Sequence, residues 1–236
     1  MTGEFLSVSD LQVSYGDMTV LRDVDLSVPE GGVVSVVGAN GAGKTTLMKT
    51  IAGVKAPDSG SITFRGESAV GLAPHELIQQ GLTYVPERHT VFPEMTVLEN
   101  LQTAMVPVTD SSPDVLERVF DLFPILDERR QQDAGTMSGG QQQMLAIAQG
   151  LVVEPDLILL DEPTLGLAPK IVEDVRDTIL EISDEGVTVL LVDEKIQLSK
   201  EVADELYLMR KSTLQYLGER GKFEAEYERI LQETIN

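Results

Sequence analysis

Four side chains carry the chemistry open to this sequence: Lys44, Thr45, Asp161 and Glu162. Lys44 and Thr45 close the run Gly38-Ala39-Asn40-Gly41-Ala42-Gly43-Lys44-Thr45, which has the spacing of a phosphate-binding loop. Its glycines let the backbone wrap close to an anion, successive N–H groups point inward, and a helix beginning near Lys44 adds its positive N-terminal end. A lysine at this position reaches the β and γ phosphates of a nucleotide, and the threonine hydroxyl can ligate Mg²⁺. Asp161, at the end of the apolar run Leu157-Ile158-Leu159-Leu160, can hold a Mg²⁺-bound water. Glu162, one residue later, can polarise an attacking water as general base. The chemistry implied is hydrolysis of a Mg²⁺-bound nucleoside triphosphate such as ATP.

Strands must deliver both ends of this site. Val33 to Val37 is an apolar strand running straight into the glycine loop, and Leu47, Met48 and Ile51 supply the buried face of the helix after it. Short alternating or apolar stretches over Phe5 to Val8, Asp10 to Ser14, Val24 to Val28, Ser61 to Phe64 and Thr83 to Val85 make the first third β-rich. From Pro86 to about Gly150 the pattern turns helical, over Val97 to Ala104, Ser112 to Phe123 and Gly139 to Gly150. Buried strands are expected at Leu157 to Leu160 and Val187 to Val192, with an amphipathic helix over Pro169 to Asp184 between them. Leu198 to Ala203 and Lys222 to Ile235 also read as helices, the last with Phe223, Tyr227, Ile230 and Leu231 at helical spacing. Alternating strand and helix predicts an α/β fold: a P-loop NTPase core with a mainly parallel sheet, an antiparallel β part at the N-terminus and an inserted α-helical subdomain. We read residues 1–236 as a single domain with its core over 1–86 and 151–215, the helical subdomain over about 87–150 and a terminal helix over about 222–235.

The chain has 236 residues, of which 42% are hydrophobic, and no cysteine, so a sizeable core forms without a disulfide framework. The opening residues lack the pattern of a signal peptide, and no apolar run approaches the length needed to span a bilayer, which predicts a cytosolic chain. Thirty-nine Asp and Glu against 18 Lys and Arg give a net charge of −21. This disfavours nucleic acid as a partner, and it leaves only Lys44, the loop N–H groups and Mg²⁺ to attract a polyanionic nucleotide. An acid-rich surface with few lysines is also what solubility at high salt requires, so a halophilic host is expected.

Met137-Ser138-Gly139-Gly140-Gln141-Gln142-Gln143 precedes the Asp161-Glu162-Pro163 strand end in an order and spacing that resembles the ATP-binding cassette (ABC) family over essentially the whole chain. In that family the segment Ser138, Gly139, Gly140, Gln141 is the signature motif, opening a helix whose N–H groups form a second anion site. One chain cannot apply both sites to one ATP. The resemblance implies that two cassettes pair head to tail, each ATP lying between the loop of one (Gly38 to Thr46, with Ala39, Asn40 and Ala42 in it) and the signature of the other. Tyr15 matches the aromatic that stacks on adenine.

Gly81-Leu82-Thr83-Tyr84-Val85-Pro86-Glu87, Val91 to Leu101, Leu72 to His75 and Glu162 to Pro169 narrow the resemblance to the LivF-type ATPase subunits of branched-chain amino-acid importers. This implies two membrane permease subunits, a second ATPase as partner, an extracellular substrate-binding protein and a peripheral place on the cytoplasmic face of the membrane. The permease helix would dock near Glu87 to Glu94, making Phe92 and Met95 contact residues.

Three positions depart from most cassettes. Glu87 stands where a glutamine usually touches Mg²⁺, and a carboxylate is a competent ligand there. Ala168 replaces an aspartate, and Glu194 replaces the γ-phosphate histidine; the chain's two histidines, His75 and His89, precede the catalytic strand. A carboxylate about 4 Å from a phosphate oxygen would repel it by roughly 1 to 4 kcal/mol. Glu194 must therefore turn away, take a proton, pair with a cation such as Lys195, or use Mg²⁺. A motor ATPase is the first reading. A nucleotide-binding regulatory half with weak hydrolysis is the alternative, and the same motor serving urea or another small polar solute is a third.

Overall fold

The computed structural model describes residues 5–87, 91–108 and 112–235, with side chains as far as residue 229. Two sheets and a group of helices enclose the core. The first sheet is antiparallel, in the order β2-β1-β4-β5, from β1 (Leu6–Tyr15), β2 (Met18–Val28), β4 (Ser59–Phe64) and β5 (Glu67–Ser68). The second has six strands in the order β10-β9-β3-β8-β7-β6. Within it β3 (Val33–Val37), β6 (Leu82–Val85), β7 (Leu157–Asp161), β8 (Thr188–Asp193) and β9 (Glu205–Arg210) run parallel, and β10 (Thr213–Glu219) pairs antiparallel with β9.

β3, β7 and β8 are buried at every residue, as strands covered on both faces must be. Alternation sends Val33, Ile158, Leu160, Val189 and Leu191 to one face, against α6 (Gly139–Leu151) and α7 (Pro169–Asp184). Val34, Val36, Leu157, Leu159, Leu190 and Val192 go to the other, against α1 (Lys44–Ile51) and the antiparallel sheet. Each such side chain taken from water contributes about 1.5 to 3 kcal/mol before the entropy of ordering it is subtracted. The register is therefore pinned: a one-residue slip would turn every one of these side chains to the wrong face.

Between β6 and β7 the chain is helical: α3 (Val97–Ala104), α4 (Val115–Leu122), α5 (Pro124–Asp127) and α6. α3 begins with Thr96, whose hydroxyl accepts from Glu99 N while the Glu99 carboxylate accepts from Thr96 N, a reciprocal cap. α2 (Pro74–Gln79) lies before β6, and α8 (Ile196–Val202) lies between β8 and β9. The terminal helix α9 (Phe223–Ile235) packs through Phe223, which is fully buried with Val37, Ile196, Leu206 and Leu217. Ile230 and Leu231, expected on its apolar face, lie beyond the described side chains.

Two segments differ from the sequence expectation. The stretches Phe5 to Val8 and Asp10 to Ser14 join into the single strand β1, because Asp10 takes a left-handed φ of 50° and inserts a bulge where the alternation breaks. The hairpin β9-β10, which no expectation covered, turns at Lys211 and Ser212 with φ of 50° and 69°. That turn carries neither Asn-Gly nor Asp-Gly, the sequence signal for such a conformation.

Candidate functional site

The site forms where the parallel strands end. β3 stops at Val37, and the glycine loop follows under β9: a Cβ at Gly38 would lie 2.4 Å from the Met209 carbonyl oxygen. Gly43 has φ +116° and would bring a Cβ to 2.8 Å from Leu21, so both ends of the loop admit only glycine. Gly43 caps α1 without a side-chain hydrogen bond, leaving the first-turn N–H groups free for an anion.

Lys44 is 4% exposed. Its ammonium donates to Gly38 O at 2.7 Å and Ala39 O at 3.3 Å and lies 3.0 Å from Glu162 Oε1. Its three hydrogens thus have three acceptors. Glu162 is 6% exposed and holds a φ of +49°, a strained conformation for a residue other than glycine. Its second carboxylate oxygen, Oε2, is buried without a hydrogen-bond partner among the described residues. Burial pushes the Glu162 carboxyl above the usual range, the Lys44 hydrogen bond and charge pull it back, and the neighbouring Asp193 and Asp161 push it up again.

Asp161 ends β7, nearly fully buried, with both oxygens engaged. Thr45 Oγ1 donates to Oδ1 at 3.2 Å, and Tyr84 OH on the adjacent strand β6 donates to Oδ2 at 2.9 Å. Burial raises the Asp161 pKa, these two hydrogen bonds lower it, and the nearby charge of Glu87 raises it further. Burial and the Asp161 carboxylate push the Tyr84 phenol well above its ordinary value, so Tyr84 remains a donor. On β8 Asp193 accepts from Thr164 Oγ1 at 3.0 Å and from Lys195 N at 3.0 Å. Asp193 and Tyr84 join the site without any motif spacing to announce them. The signal that finds them is strand register: Val85 pairs with Leu160 and Asp161 with Val192, so the ends of β6, β7 and β8 come level.

The donor set fits both implied ligands. The loop is a cradle that a Cβ would fill, facing a buried lysine. Thr45 and Asp161 offer adjacent hard oxygens of the kind Mg²⁺ takes alongside phosphate oxygens and water. Glu87, at the exit of β6, is near enough for its charge to act on Asp161 and Tyr84.

The remaining expected residues lie around this centre. Tyr15 is half exposed, with Lys55 Nζ 5.2 Å from its ring centroid. Ser138 caps α6: its hydroxyl accepts from Gln141 N at 3.3 Å and the Gln141 side chain accepts from Ser138 N at 3.0 Å. A Cβ at Gly139 would meet open space, whereas one at Gly140 would lie 2.9 Å from Ile171. Among the described residues no hydrogen bond or ion pair joins Ser138 to Gln141 with the glycine loop, so the second anion site stands apart from the first.

The family model for ABC transporters matches residues 21–165, a span holding the loop, the Ser138 cap and the Asp161-Glu162 pair. The chain belongs to the ABC transporter family. It is 41% identical over 210 residues to the high-affinity branched-chain amino acid transport ATP-binding protein BraG of Pseudomonas aeruginosa, covering 89% of this chain and 90% of BraG. It is 36% identical over 222 residues to the probable branched-chain amino acid transport ATP-binding protein LivF of Archaeoglobus fulgidus, covering 91% and 94%. A solved ATP-binding cassette of an ABC transporter in its ADP conformation has a TM-score of 0.88 at 25% identity over 100% of both chains. A nucleotide-free cassette has 0.84 at 27% over 98% and 96%. The expected α/β cassette fold is thus this chain's fold.

Within this ABC cassette Glu194 has a neutral partner, which none of the four expected arrangements named: Asn40 Nδ2, in the loop, donates to Glu194 Oε2 at 3.1 Å. His75 sits in α2, and His89 lies outside the described residues.

Proposed function

We propose that this cassette binds and hydrolyses ATP to drive import of branched-chain amino acids through a membrane permease. The observation that carries the hydrolytic part is the buried Lys44–Glu162 pair beside Asp161. Incoming β and γ phosphates replace Glu162 on the Lys44 ammonium. Glu162 is then free to hold the attacking water and take its proton, and its Oε2 has no hydrogen bond to give up among the described residues. Mg²⁺, held by Thr45 and Asp161 with Glu87 beside them, would supply charge neutralisation at the phosphates. Tyr15 stacks on adenine, and Ser138, Gly139, Gly140 and Gln141 close on the ATP of a second, non-identical cassette arranged head to tail. The amino-acid cargo rests on the likeness to BraG and LivF, since no residue of an ATPase subunit meets the solute. Purified chain should hydrolyse ATP only with Mg²⁺, faster when its permease subunits are present; no turnover in their presence would refute the reading.

Among the described residues no helix is long and apolar enough to cross a membrane. Attachment is assigned to a groove lined by Ile78, Tyr84, Val85, Phe92, Ala104 and Val153, into which a permease helix docks from the cytoplasmic side. Phe92, which lines that groove, and Met95, three residues on, are large apolar side chains 48% and 38% exposed. Phe92→Ala is expected to keep ATP affinity and basal hydrolysis but to lose most transport; unchanged uptake in reconstituted vesicles would remove this assignment.

Glu194→Gln keeps an acceptor for Asn40 while deleting a negative charge at the loop. ATP affinity measured by titration should rise about fivefold or more, the lower end of the repulsion of about 1 to 4 kcal/mol, and ADP affinity should rise less. An unaltered ATP affinity would show that Glu194 is turned from the phosphates. We assign the −21 charge to a halophilic setting: turnover should climb towards molar KCl as surface repulsion is screened, and maximal activity in dilute buffer would contradict this.

A further inference from the structure

We propose that Asn100 is a positioning residue for coupling, fixing the loop that presents Phe92 and Met95 and joining it to α6, the helix that Ser138 caps. The proposal rests on the docking groove assigned above. Asn100 is fully buried in α3, a rare place for an amide. Its Oδ1 accepts from Phe92 N at 2.7 Å. Its Nδ2 faces the carbonyl oxygens of Phe92 at 3.0 Å, Met95 at 3.2 Å and Thr96 at 2.9 Å. Two hydrogens serve three acceptors, so this one side chain ties together four backbone groups of the turn, the Phe92 N–H and the carbonyls of Phe92, Met95 and Thr96.

α6 connects to the same loop at two points, through Asn100 and through Ala134. Near its C-terminal end Gln149 Nε2 lies 3.4 Å from both the backbone and side-chain oxygens of Asn100. Near its N-terminal end Gln142 Nε2 donates to Ala134 O at 2.9 Å, and Ala134 N donates to Met95 O at 2.9 Å. Gly135 N adds a bond to Pro93 O at 2.9 Å, in a contact too close for any Cβ at that glycine. The loop, α3 and α6 form one hydrogen-bonded body with Ser138 at one end and Phe92 at the other. A shift of the Ser138 end on nucleotide closure therefore moves Phe92, and a shift of a docked helix moves Ser138. An asparagine supplies one acceptor and two donor hydrogens in a short side chain. An aspartate lacks the donors, a leucine has neither donor nor acceptor, and a glutamine is one methylene too long for a fully buried position.

The test compares Asn100→Ala and the milder Gln149→Ala with wild type and Phe92→Ala. In the isolated chain, Asn100→Ala should speed amide hydrogen exchange at Met95 and Ala134 about tenfold or more while β3 and β7 stay protected. In vesicles with the permease, Asn100→Ala and Gln149→Ala should lower solute moved per ATP hydrolysed, with basal hydrolysis and the urea midpoint of Gln149→Ala unchanged. Wild-type exchange at Met95 and Ala134 in Asn100→Ala overturns the proposal, as does normal coupling by both variants alongside uncoupling by Phe92→Ala. Normal transport by Phe92→Ala would instead overturn the docking reading, and the exchange result would still decide whether Asn100 holds the loop.

Discussion

Glu162→Gln is expected to lower ATP turnover by about 10² to 10⁴-fold while ATP still binds. Glutamine keeps an oxygen for Lys44, so the loop and the strained turn at the end of β7 persist. It loses the ability to take a proton from water. Residue 162 holds φ +49° with one carboxylate oxygen buried and unpartnered, an arrangement that costs stability and that packing alone would not select. Steady-state phosphate release, with nucleotide binding measured in parallel, checks the expectation. Turnover within about tenfold of wild type would assign the base elsewhere.

The second large effect follows from removing the other member of the pair. Lys44→Ala takes away the cation that meets the phosphates, and loss of such a charged hydrogen bond, about 1.5 to 3 kcal/mol, weakens ATP binding about 10- to 100-fold. It also leaves Glu162 buried without its counter-charge, which costs up to about 3 to 5 kcal/mol of folding stability. The same pair accounts for both effects, and a second substitution separates them. Lys44→Ala with Glu162→Gln should recover most of the lost stability in urea unfolding but none of the ATP affinity. A double variant as unstable as Lys44→Ala would show that the uncompensated Glu162 charge is not what destabilises Lys44→Ala.

Much of the cassette is legible from the chain because its central strands are apolar on both faces and bounded by glycine or charge. β3 and the helices Val97–Ala104 and Pro169–Asp184 lie where periodicity puts them. The glycine loop is legible for a different reason: three of its positions tolerate only a narrow set of residues, through φ or through contact with Met209 and Leu21. What escaped depends on contacts distant in sequence. The bulge at Asp10 breaks alternation without a glycine, and the β9-β10 turn places Lys211 and Ser212 in left-handed conformations that their side chains do not favour. Tyr84 and Asp193 enter the site through sheet register, and no spacing within the chain encodes which strands become neighbours. Glu194 stands out by its departure from the family pattern, yet its partner, Asn40, lies 154 positions away and meets it only where the loop and the end of β8 come together.

The most direct test is release of labelled leucine from vesicles that contain the permease subunits, the partner cassette and this chain, with binding protein and leucine inside and Mg²⁺–ATP outside, on the cassette face. The account predicts ATP-dependent export of leucine from the binding-protein side to the cassette side with wild-type chain, and none with Glu162→Gln although that variant still binds ATP. Leucine movement that persists with Glu162→Gln, or that fails with wild-type chain while its ATP turnover proceeds, would contradict it.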